Sequence, residues 1–186
     1  MPNPDVEAFC RAVRERTLQN GAAVSLLHKE QLPGNVVAIL RQELDSMIRC
    51  IYLLSVRDRR LRSQLIAQSL NGQPWTTQTG KRVTDREMVA LSTRLQNWTQ
   101  NVYKFGCAFI HLSGFCCSSG PDPFDSLTHD ERNDIAHHLS HYHGFHMDAH
   151  TRFRDIVRVL PNVPEKISSN LECYVRDLDN DSDLTL

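Results

Sequence analysis

Residues 37–54 read VAILRQELDSMIRCIYLL. Apolar side chains recur at Val37, Leu40, Leu44, Met47, Ile51 and Leu54, in alternating steps of three and four. That spacing holds one stripe on one side of an α-helix and asks for a partner helix along it. The same pattern returns at Met88, Leu91, Leu95, Trp98, Val102, Phe105, Phe109 and Leu112. Two such seams, far apart in the chain, predict an all-α protein. Its architecture is an up-and-down helical bundle with two long antiparallel helices as the spine.

The breaks between these segments agree. Pro33-Gly34 precedes the first seam, and the loop Asn71 to Val83 precedes the second. Thr84-Asp85-Arg86-Glu87 is a capping box that starts the second long helix, and the stretch Ser118 to Pro123 ends it. Thr128-His129-Asp130-Glu131 is another capping box, opening a helix that Gly144 can stop near Tyr142. A flanking N-terminal helix is expected from Asp5 to Gln19, with Asn20-Gly21 as its stop. Pro161 and Pro164 interrupt the C-terminal helical region, and the acidic tail 177–186 is expected to fray. The whole chain, 1–186, is thus expected to be one domain with its bundle core at about residues 36–145.

Lys and Arg total 21 against 22 Asp and Glu, so the net charge is −1 and no chain-wide basic field exists to grip nucleic acid. A mean hydropathy of −0.40 is ordinary for a globular chain, and no apolar run is long enough to span a membrane. The N-terminal MPNPDVEAF has neither a basic nor an apolar leader region, so a cytoplasmic protein with reduced thiols is expected. Among the six cysteines, Cys50 and Cys107 fall in apolar stretches and read as small core residues. The adjacent pair Cys116-Cys117 is either unremarkable or a site for metal or oxidation. No glycine-rich phosphate loop is present, which argues against ATP or GTP hydrolysis, and no cofactor is implied.

Three groups of residues carry possible chemistry. The first is Arg132-Asn133-Asp134-Ile135-Ala136-His137. Ile135, Leu139 and Tyr142 form an apolar stripe on this helix, and Asn133 and His137 lie near the opposite side. An imidazole can take the proton of a ribose 2′-hydroxyl, and a guanidinium can hold the phosphate as charge builds. Arg132 falls about 140° from His137 on an ideal helix, so only its length could bring the two together.

The second group is Arg57, Arg59, Arg60 and Arg62, either a phosphate-binding patch or a solvated face with Asp58 interleaved. The third is the histidine cluster, seven of nine histidines between His129 and His150. His137/His141 and His146/His150 have the i, i+4 spacing of zinc ligands, with Asp148 as a further oxygen donor, but no His-Glu-x-x-His frame accompanies them. His111, within Ala108 to Ser113, is a core histidine or, with Ser113, a second neighbour of the Arg132 helix.

Arg132, Asn133 and His137 match in order and spacing the signature of the HEPN family, which the chain resembles over about residues 36 to 142. That signature is Arg, four to six residues, then His, with a polar residue after the Arg. The resemblance implies an up-and-down bundle, in agreement with the seams. It also implies a metal-independent endoribonuclease working as a homodimer in a toxin–antitoxin or phage-defence setting. His137 would be the acid or base, Arg132 the phosphate clamp and Asn133 the orienting group. RNA would then be the substrate, and an antitoxin or regulatory protein the partner. Two alternatives stand beside this: a non-catalytic helical interaction protein, and a metalloprotein ligated by His137, His141, His146 and His150.

Overall fold

The computed structural model describes residues 4–110 and 120–184. Among them the chain forms eight α-helices: α1 (Pro4–Lys29), α2 (Pro33–Ser55), α3 (Arg59–Leu70), α4 (Asp85–Thr93), α5 (Thr99–Ile110), α6 (His129–His143), α7 (Phe153–Ile156) and α8 (Asn162–Asp179). A 3₁₀ turn, Pro123–Ser126, precedes α6. Described residues form no sheet; one isolated bridge joins Thr76 to Arg82. The all-α reading therefore holds, and among the described residues no helix is long and apolar enough to cross a membrane.

The centre of the bundle is α2. All six residues of its seam are buried, and so are Ile39, Ile48, Cys50 and Leu53 on its other sides. A helix buried nearly all round needs neighbours on several faces. Here α1, α4, α5 and α8 supply them. From α8 come Ile167, Leu171, Val175 and Leu178, all buried, so this C-terminal helix shares the same core as α2. Pro164 sits in the first turn of α8, where a missing N–H costs nothing, and does not interrupt it.

Three local expectations are corrected. The helix at the N-terminus does not stop at Asn20-Gly21 but runs on to Lys29. A mid-helix glycine costs only about 1 kcal/mol against alanine. Thr17 and Asn20 both donate to the Glu43 carboxylate (3.0 and 2.6 Å), and Val24 is buried, so packing on α2 carries the helix through.

The second seam is split at residues 94–98 into α4 and α5. Thr99 Oγ1 donates to the Gln96 carbonyl (2.7 Å) and meets Ser92 Oγ (3.2 Å). These hydroxyls compete with the helical ladder. The seam still faces the core on both sides of the break: Met88, Trp98 and Phe109 are buried.

The tail does not fray within the described residues. Leu178 is buried, the Leu184 amide donates to the Leu54 carbonyl (2.9 Å), and Asp181 and Asp183 pair with Arg59 and Arg62. Sequence composition alone shows the acidity; the basic partners lie over a hundred positions earlier.

Candidate functional site

The expected site sits on α6, whose ends follow the sequence closely. Thr128 and Glu131 close the capping box at its start, and Gly144 ends it in the left-handed region, φ 62°. A residue with a Cβ pays for that conformation, which is why glycine stops helices this way.

Arg132 is half-buried against the Phe124 ring, 5.4 Å from its centroid. Its Nη2 donates to the carbonyls of Asp148 (3.0 Å), Ala149 (3.3 Å) and Thr151 (2.7 Å). The guanidinium thus holds the loop between α6 and α7 in place. Asn133, exposed, pairs with His129 Nδ1 (3.0 Å). His137, also exposed, stacks on His141 with ring centroids 5.9 Å apart and planes only 4° from parallel. Arg132 does not line the cavity at His137. That cavity, about 120 Å³, is bounded by Asn97, Trp98, Asp134, His137, His138, His141 and Tyr142. The Asp134 carboxylate borders it and meets the Asn101 side-chain amide, while Lys166 stands over the Tyr142 ring at 5.3 Å.

His138 is the residue that the sequence reading missed. It is 5% exposed, packed among Trp98 (5.3 Å), Tyr142 (4.9 Å) and His143 (5.3 Å). Neither ring nitrogen has a hydrogen-bond partner. Burial pushes its pKa down to about 4, helped by the nearby His143, His137, His141 and Lys166, so the ring is neutral. His143 is lowered too, by burial and by Lys166. The signal for His138 was present: it falls at i+3 of the stripe that begins at Ile135, between the core positions.

The four histidines weighed as metal ligands do not gather. His137 and His141 stack, His146 Nδ1 meets Ser140 Oγ (3.0 Å), and His150 is exposed beyond Gly144. Among the described residues no group of three or more His, Cys, Asp or Glu side chains stands close enough to share an ion.

The arginine run also divides. Arg57 and Arg60 are exposed. Arg59 is held by Asp183 (2.7 Å) and Asp181 (3.2 Å). Arg62 is only 3% exposed and donates to the carbonyls of Leu54, Val56 and Ser182 as well as to Asp181 and Asp183. A phosphate-facing role for Arg62 is corrected accordingly: desolvation is tolerated there because five acceptors surround it. The tail that covers it could not be placed from sequence.

A second polar cluster was not anticipated. The Arg41 guanidinium is buried over the Tyr103 ring at 3.6 Å, and Tyr103 donates to Asp85 (3.0 Å). Arg49 joins Asp45 (2.9 Å) and lies near Asp85 (3.7 Å). The charges balance, two arginines to two aspartates, as for an internal clamp between α2, α4 and α5. Arg41 lies one step past the Leu40 seam position, where the heptad pattern gives no hint of burial.

Of the thiols, Cys10 and Cys50 are buried; burial raises both, and Asp179 helps push Cys10 up to about 12. They are inert at neutral pH. Cys107, expected in the core, is only partly covered. Cys116, Cys117, His111 and Ser113 lie outside the described residues. Comparison of the chain with protein-family models, with curated proteins and with solved structures finds no match in any of the three.

Proposed function

We propose that this chain is a non-catalytic helical assembly module, in which Arg132 serves the fold. The observation that carries this reading is the triple carbonyl contact of the Arg132 Nη2. These contacts take up Nη2 and fix the guanidinium against residues 148–151, so a phosphate would have only Nε and Nη1 to bind. Its competitor at His137 is no better placed, because the Asp134 carboxylate borders the same cavity and repels an anion. The protein's business would then be docking.

The second reading, a HEPN-like metal-independent endoribonuclease active as a homodimer, is favoured by one observation. Asn133 and His137 are both exposed, and His137 edges an aromatic-lined cavity. Lys166, over the Tyr142 ring at 5.3 Å, is the cation nearest this cavity that could offset Asp134, and a second subunit would add another.

Arg132→Gln separates the two. Under the assembly reading it lowers stability by about 1–2 kcal/mol in urea unfolding, since several carbonyls lose a charged donor. RNA incubated with wild type or variant in EDTA stays intact. Cleavage by the wild type that disappears in His137→Ala would overturn the assembly reading.

A further inference from the structure

The outward side of α1 is unpartnered. At about 100° per residue, Glu15, Leu18, Ala22, Leu26 and Lys29 fall within about 40° of one direction. Val13, buried in the core, lies on the opposite side of the same helix. Leu18 is 75% exposed and Leu26 65%, the two most exposed large apolar side chains among the described residues. Ala22 between them is exposed, and so are Glu15 and Lys29. No ion pair within the described chain engages either charge, whereas Arg14, turned toward α8, is tied to Glu172 and Asp179.

The order of these residues is self-complementary. A two-fold axis through Ala22 in an antiparallel pair sets residues equally far before and after it against each other. Leu18 then meets the other copy's Leu26, and Glu15 meets its Lys29, each contact made twice. Parallel pairing would instead set Glu15 on Glu15 and Lys29 on Lys29.

We infer that the outer face of α1 is a self-association surface, and that its occupant is α1 of a second copy of this chain, antiparallel about Ala22. This inference deepens the assembly reading and rests on it.

Sedimentation velocity on the full chain tests it. The wild type should sediment as a dimer at micromolar concentration. Leu18→Glu with Leu26→Glu should give a monomer whose circular dichroism matches the wild type, because both sites face water within one chain, and whose melting temperature no longer rises with protein concentration. Glu15→Lys alone, or Lys29→Glu alone, should weaken the dimer by about tenfold at low salt, since each change creates two repulsive pairs. The double reversal Glu15→Lys/Lys29→Glu should restore it. A wild-type monomer, or a dimer indifferent to all four changes, would overturn this surface. RNA cleavage would instead overturn the assembly reading, so the two failures are separable.

Discussion

The guanidinium of Arg62 lies 2.7 Å from the carboxylate of Asp183, and this contact ties the last described residues to the first turn of α3. The same arginine donates to the Leu54 carbonyl (3.2 Å), which also accepts from the Leu184 amide. Arg62 is thus the post that fastens the C-terminal tail to the end of α2. Arg62→Met keeps the length of the side chain and removes every donor. The expected loss is about 2–4 kcal/mol in urea unfolding, because buried carbonyls and an aspartate lose their partner together. An unchanged midpoint would show that the tail is dispensable.

His138 makes stability depend on pH. Its pKa in the fold, about 4, is below the ordinary 6.5. Its surroundings on α6 and α8 are His137, His141, His143, Lys166 and, of the opposite sign, Glu165 near His143. The unfolded chain therefore binds the proton more readily than the native one. Stability is full above about pH 6.5 and falls progressively as pH drops toward 4, by up to about 3 kcal/mol. His138→Phe places a ring of similar size between Trp98 and Tyr142 without a titrating group. Unfolding compared at about pH 7.5 and about pH 5 should show a markedly smaller acid loss in this variant. An equal loss in both proteins would place the acid sensitivity elsewhere.

The seam from Val37 to Leu54 was legible because a three-four period has one structural meaning, and every position in it is buried. Both capping boxes were legible because Thr and Glu three apart satisfy each other locally. What escaped the sequence depends on distant partners. Arg62 looked like a surface arginine until Asp181 and Asp183 arrived to cover it. Arg132 stood at a family spacing from His137, yet its partners are three carbonyls beyond the end of its own helix. Spacing along a helix ranks which side chains share a face; it says nothing of which loop returns to claim them. His138 was overlooked for a different reason. The stripe Ile135, Leu139, Tyr142 counts apolar residues only, and a neutral imidazole packs as one of them.

The approach of α5 to α2 depends on Gly106. A Cβ there would stand 2.9 Å from the Arg41 Cβ and 3.2 Å from its Cδ. The stem of Arg41 is pinned by Tyr103 on one side and by Asp45 and Asp85 on the other. Gly106→Ala should therefore destabilise by about 1–3 kcal/mol despite alanine's better helix propensity, as overpacking does. Thermal unfolding checks this. A gain in stability, as propensity alone would give, would mean that the two helices separate at little cost.

The central claim is that Arg132 is spent on the fold and does not serve catalysis with His137. The most direct measurement is incubation of mixed cellular RNA with wild type, His137→Ala and Arg132→Gln in EDTA, with the new ends analysed chemically. Intact RNA in all three reactions, with Arg132→Gln less stable and His137→Ala as stable as wild type, is the result predicted. Cleavage by wild type that leaves 2′,3′-cyclic phosphate ends, and that both substitutions abolish, would contradict it.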